Sequence, residues 1–400
     1  MAQADDCSPV SLICNYATNS YNETMGMQKH NKLFAWADES GNSGLNVFDT
    51  GQPMFWSGTL ISPMDLDTGA SVHADWLSAT QSTELHGKTL HFSGLNKIAD
   101  SVRDFLRRNS CKFVLTRIEK EFHVITTFVT IVFDSDVNET VAPLYDHVPI
   151  FRKDIAKEFM SIFHLRDRKE FWSAYLKRDL GAFSKLLLNL ELRVRELCVE
   201  ERLAGFICEA LSWARVNPAR IMHAPISLEE SPNARALLLL VDGIHKMAGA
   251  EARVIRFRHD EQPEFGKMFV ADFEKIKNAF GPLGSPYAPA YAHPVHLFDC
   301  GLELVSSRTS LGLQLIDVLL YLMSRHLNGS YHPRKDACGR LLDFLRSDDR
   351  CIINEILFKP QKDFSFLELE NMAASSSLFD QNQPSLQQIA DAARARTLGL

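Results

Sequence analysis

The sequence lacks the marks of a secreted, membrane-spanning or nucleotide-cradling protein. Eight cysteines occur, and none forms a Cys-x-x-Cys pair. Several lie in apolar stretches, such as Cys111 in Cys-Lys-Phe-Val-Leu and Cys208 in Phe-Ile-Cys-Glu-Ala-Leu, which reads as reduced, buried thiols and a cytoplasmic location. Asp5 and Asp6 stand where a secretory signal would place its basic and apolar regions. No uninterrupted apolar run reaches the roughly eighteen residues of a transmembrane helix, so no membrane partner is expected. There is no Gly-x-x-x-x-Gly-Lys-Ser/Thr loop, no Gly-x-Ser-x-Gly elbow and no His-Glu-x-x-His helix, which argues against P-loop, serine-hydrolase and zincin chemistry. Internal repeats and long low-complexity segments are also absent. A net charge of -7 argues against a globally basic nucleic-acid binder and leaves room only for a local basic groove.

What is present suffices for a large core. Of 400 residues, 46% are hydrophobic, with 26 Phe and 5 Trp. Residues 1–30 are polar and read as a flexible lead-in. Strand patterns follow at 33–37, 54–61 and 113–118, with helical patterns over about 65–81 and 95–109. From about 139 to 225 the spacing is helical throughout, which predicts a helical insertion. The α/β pattern then resumes: a helix at 233–247, a strand at 254–257, a helix at 265–280, a short strand at 295–298 and an apolar helix at 311–326. The expected division is a core in two parts, 31–138 and 226–330, interrupted by the insertion. A helical extension and tail cover 331–400. The expected fold is α/β, a mixed central sheet flanked by helices.

Three acids stand out against this pattern. Asp317 interrupts Leu311-Gly312-Leu313-Gln314-Leu315-Ile316-Asp317-Val318-Leu319-Leu320, a helix apolar nearly all round. A carboxylate there is costly unless it is paired or metal-bound; the alternative is that it caps or salt-bridges a neighbouring segment. Gln314 shares its face, three residues earlier, and is a candidate to orient a ligand. Asp38 ends the first strand, where acids in α/β sheets project into clefts, and Glu39 should face the other way. Asp260 follows a later strand in the same manner. Both have an ordinary turn or loop as the alternative. Glu84, in Glu84-Leu85-His86-Gly87-Lys88, is a fourth candidate. Convergent carboxylates are what two-metal phosphoryl chemistry requires, with Mg²⁺ or Mn²⁺ held by hard oxygen donors. Arg253, Arg256 and Arg258 border the proposed site, and Arg256 and Arg258 are candidates to hold a nucleic-acid backbone. His293 and His296 form a small cluster that reads as loop or surface.

Three segments together resemble the bacterial family catalogued as domain of unknown function 3800, itself similar to the RNase H-like group. They are Asp38-Glu39-Ser40-Gly41, His259-Asp260-Glu261-Gln262, and Ser307-Arg308-Thr309-Ser310-Leu311 running into Gln314-Leu315-Ile316-Asp317. The Glu84-Leu85-His86 stretch fits more loosely. The resemblance spans roughly residues 33–328. It implies an RNase H-like core in which the first strand, a later strand and a C-terminal helix each supply an acid: Asp38, Asp260 and Asp317. The implied activity is a metal-dependent nuclease, or a related phosphoryl-transfer enzyme, acting on nucleic acid. The alternative is a non-catalytic module that binds nucleic acid or, through the helical insertion, a protein partner. Two departures bear on the site. The family usually carries Ala where this chain has Ile316, and the helical insertion is large.

Overall fold

Strand β1 (Asn31–Ser40) lies near the middle of a six-stranded sheet of order β5-β4-β1-β2-β3-β6 in a computed structural model of the chain. The structure describes residues 31–358 except 42–43, 143–144, 146–148, 223–230, 249–251, 262–265, 280–296, 334 and 348, together with residue 368. β1, β2 (Met54–Ser62) and β3 (Lys112–Glu119) form an antiparallel meander. β4 (Ala252–Asp260) runs parallel to β1, β5 (Leu302–Val305) parallel to β4, and β6 (Cys351–Ile356) parallel to β3. The helices, in chain order, are α1 (Ala70–Thr80), α2 (Gly87–Arg108), α3 (Lys120–Val132), α4 (Pro149–Ile162), α5 (Leu165–Lys177), α6 (Leu180–Leu197), α7 (Glu201–Val216) and α8 (Pro218–Ile221). They continue with α9 (Pro232–Ala248), α10 (Gly266–Ala279), α11 (Leu311–Leu327) and α12 (Ala337–Leu345).

Side chains alternate along a strand, so the central strands feed two different cores. Trp36, Leu60, Phe113 and Leu115 face α2, α11 and α12. Ala35, Ala37, Ile61 and Val114 face α9 and α10. Strands buried on both sides read as near-continuous apolar runs, which is the pattern at 33–37 and 54–61. A third core joins α3 to the helices that follow it, rich in Phe128, Phe159, Phe163, Phe171 and Phe183.

The helical spans at 233–247, 265–280 and 311–326 correspond to α9, α10 and α11. Among the described residues, 139–225 contains helices and no strand. The helical layer nevertheless starts earlier than its sequence pattern, because Phe122 to Phe133 of the α3 segment belong to its core. The C-terminal region departs from expectation. Residues 331–400 were expected to be helix and tail, yet β6 extends the sheet beside β3. The edge of β3 has unpaired backbone groups that a sixth strand satisfies. Of the strand expected at 295–298, residues 297 and 298 are described; there Phe298 bridges Val254, and the ladder beside β4 is made by Leu302–Val305. α2 begins at Gly87 and absorbs a kink at His91, where φ is 49°. The lead-in 1–30, His293, His296 and the tail 370–400 lie outside the described residues. Among the described residues no helix is long and apolar enough to cross a membrane.

Candidate active site

Parity and register bring Asp38 and Asp260 together. β1 and β4 run in parallel with Trp36 opposite Arg258 and Ala37 opposite His259. One step further, Asp38 stands beside Asp260. Trp36 and Asp38 share one face, and that face packs against α11. The same face of β2 carries Gly58, directly opposite Asp38 in the register. A Cβ on Gly58 would lie 3.0 Å from Ile316 Cδ1 and 3.2 Å from Phe113. The missing side chain is thus the seat for Ile316, which is fully buried against the sheet. Ile316 therefore packs down onto the sheet at the position opposite Asp38. Gly312 brings the start of α11 equally close, since a Cβ there would sit 2.4 Å from the Trp36 indole.

The acids influence one another electrostatically. Asp38 is 8% exposed. Burial raises its carboxyl well above the usual range, and the charges of Asp317, Asp260 and Glu39 push it further, against a smaller opposing pull from His259. Asp260 and Asp317 are also raised, first by burial. Asp317 is raised in addition by Glu84, and backbone N–H groups and nearby cations partly offset both shifts. Asp38 is raised by both of the other acids, so the group titrates as a coupled unit. Backbone N–H groups hold each acid: Glu39 N donates to Asp38 Oδ1 at 2.7 Å, Ser307 N to Asp260 Oδ1 at 2.9 Å, and Gly87 N to Asp317 Oδ2 at 2.6 Å. Asp317 thus also caps the first turn of α2, the alternative role open to it from sequence, and His86 Nδ1 stands 4.0 Å away.

Glu84 is joined to the group through Ser307, whose hydroxyl donates to Glu84 Oε1 at 2.8 Å while its N–H holds Asp260. Gln314, 1% exposed, is used up internally. Its Oε1 accepts from Leu85 N at 2.9 Å and meets His73 Nε2 at 2.9 Å, and its Nε2 donates to the Ser307 carbonyl at 3.0 Å. The residue expected to orient a ligand therefore ties together the two loops that carry Glu84 and Ser307. Arg256 and Arg258 are likewise engaged. Arg256 pairs with Asp65, and Arg258 with Asp67 and Glu303.

Sequence reasoning missed Asp67 altogether. It accepts from Trp36 Nε1, Ser310 Oγ, Gly312 N and Arg258, and so pins the N-terminus of α11 to β1 and β4. The only signal was its place in an acidic turn before a helix. Behind the sheet lies a second unforeseen pair. Glu39 faces away from Asp38, as alternation requires, and its Oε2 is 3.2 Å from His259 Nε2, with both side chains buried. Burial alone would lower the imidazole pKa. The hydrogen bond and charge of Glu39, the Asp260 carbonyl and the Asp38 charge outweigh it and raise the value to about 9.

The donor set is one that a hard divalent cation accepts: oxygen only, with Asp38 buried and Asp260, Asp317 and Glu84 half-buried, and mutually repelling without a counter-charge. Among the described residues, however, no group of three or more His, Cys, Asp or Glu side chains is close enough to hold a metal ion as it stands. The cysteines described, Cys111, Cys198, Cys208, Cys300, Cys338 and Cys351, are all free thiols. Comparison with protein-family models, curated proteins and solved structures returned no match.

Proposed function

We propose that the chain is a metal-dependent nuclease, or a related phosphoryl-transfer enzyme acting on nucleic acid, built on an RNase H-like core of the kind that the family resemblance implies. One observation carries this reading: Asp38 is buried under the negative charge of both Asp317 and Asp260, a costly arrangement that a bound cation would relieve. The strand order supports it, with an antiparallel β1-β2-β3 meander, β4 and β5 added parallel on the other side of β1, and a helix bearing an acid across the sheet. Asp38, Asp260 and Asp317 would hold Mg²⁺ or Mn²⁺, with Glu84 completing the site. Bound there, the ion would supply Lewis-acid stabilisation of phosphate oxygens and a more acidic water. The chain's own residues hold the acids. Gln314 and Ser307 fix Glu84 and Asp260, the Gly87 N–H fixes Asp317, and the Glu39–His259 pair ties the ends of β1 and β4 together. A reducing, cytoplasmic location accords with the free thiols.

A second reading is favoured by the absence, among the described residues, of a preformed metal-ligand group. In it the protein is a non-catalytic module that binds nucleic acid, or a protein partner through the helical layer, where Leu192 and Val199 are 57% and 96% exposed. A cleavage screen separates the two. Single- and double-stranded DNA and RNA are incubated with the protein in Mg²⁺, Mn²⁺ or EDTA. Metal-dependent cleavage that Asp38→Asn and Asp260→Asn abolish is the expected result. Binding without cleavage in any of these conditions would turn the assignment to the second reading.

A further inference from the structure

Four carboxylates repel a polyanion, and the chain as a whole carries a net charge of -7. A nucleic-acid strand can approach such a site only if local cations hold its backbone. Arg256 and Arg258 are not free for that task, because Asp65, Asp67 and Glu303 take their guanidinium groups. Two other cations border the acids and still face solvent. Arg308 occupies the 3-10 turn Ser307–Thr309, immediately after the serine that binds both Asp260 and Glu84. Its side chain is 84% exposed, and its nearest acid is Glu84, with Nε 4.0 Å from Oε2. Lys88 is exposed in the first turn of α2, immediately after the glycine whose N–H holds Asp317. Its charge reaches Asp317.

We propose that Arg308 and Lys88 form a phosphate-holding rim around the carboxylate site, and that the partner they hold is the phosphodiester backbone of a nucleic-acid strand. This inference rests on the reading under Proposed function. The two residues come from different elements, each one step along the chain from a group anchoring a site acid. Phosphates bound by them are therefore held at the acids and not elsewhere on the surface. The guanidinium of Arg308 can grip a phosphate with two parallel hydrogen bonds, while the ammonium of Lys88 acts as a point charge. Both side chains are exposed, so replacing them leaves the fold intact.

The test is salt-dependent binding of short fluorescein-labelled oligonucleotides, single-stranded and duplex, followed by anisotropy in EDTA so that nothing is cleaved. Each phosphate contact contributes about 0.7 to the log–log salt slope on a single strand and about 0.9 on a duplex. Arg308→Gln and Lys88→Gln should each lower the slope by about that amount, the double variant by about twice as much, and Arg308→Lys should largely restore it. A double variant with the wild-type slope, while wild type binds, overturns the rim and leaves the wider functional reading in place. Failure of wild type to bind any of the oligonucleotides, with no cleavage in the metal screen, overturns both.

Discussion

Gln314→Leu separates a structural role for this residue from the ligand-orienting one its position on α11 suggests. Leucine matches the volume of glutamine and keeps the helix, so the change isolates the amide. In the wild type, Oε1 satisfies the N–H of Leu85, itself 1% exposed, and Nε2 satisfies the Ser307 carbonyl. Leucine leaves both backbone groups without that partner. A buried polar group stranded in this way costs about 1–3 kcal/mol. Only the Leu85 N–H is stranded, because the half-buried Ser307 carbonyl keeps the Ser310 N–H, so the loss is roughly 1–3 kcal/mol. Urea denaturation of the metal-free protein reads this directly as a lower midpoint with an unchanged slope. The loops carrying Glu84 and Ser307 should also loosen, seen as faster amide hydrogen exchange at Leu85 and Gly87. A ligand-orienting Gln314 makes the opposite prediction, unchanged stability and weaker substrate binding. A variant within about 0.5 kcal/mol of wild type, inside the range of an ordinary surface substitution, would refute the structural role.

Three further outcomes follow from the same geometry. Asp317→Asn keeps an oxygen for the Gly87 N–H and removes one charge from a repelling group, so the metal-free variant should melt at or above wild type. It should lose most of the Mn²⁺-induced rise in melting temperature, and a destabilised variant with a full Mn²⁺ response would show that Asp317 is only a cap. His259 has a folded pKa raised to about 9, so the stability it contributes is fully present below about 6.5 and is lost as pH rises through 9. The raised carboxyls of Asp38, Asp260 and Asp317 act in the same sense, their contribution being present at acid pH and lost as pH rises. Metal-free protein should therefore lose stability from about pH 4 upward as the carboxyls ionise and further between about pH 6.5 and 9 as His259 loses its proton, and His259→Gln should flatten that upper part of the profile in calorimetry. Finally, Ile316→Ala should cost about 2–5 kcal/mol and Gly58→Ala about 1–3 kcal/mol, but the double variant should cost less than their sum because the new methyl group enters the space the isoleucine leaves. Strict additivity in urea melts would mean that the two residues do not share that space.

The amino-acid sequence by itself determined the local elements and the identity of the unusual acids. Short apolar runs ending in turns are enough to mark β1, β2 and β3, because a strand buried on both faces needs apolar residues at every position. The burial of α11 follows from its composition, and the anomaly of Asp317 follows from that burial. Alternation alone sends Asp38 and Glu39 to opposite faces. None of this required knowledge of contacts between distant segments.

Tertiary structure decided what those residues do to one another. Asp38 lies next to Asp260 only because β4 adds parallel to β1 in a particular register, and sequence spacing is silent on register between segments so far apart. Residues that look available in the sequence are consumed in the fold: Arg256, Arg258 and Gln314 are satisfied by Asp65, Asp67, Leu85 and Ser307. Asp67 and the Glu39–His259 pair are the converse, ordinary in sequence and central in space. β6 went unread because a short strand after a helix gains its energy from the open edge of β3, a partner more than two hundred residues away. Local pattern reports what a segment can form, and the partners that satisfy its buried polar groups are set by the rest of the chain.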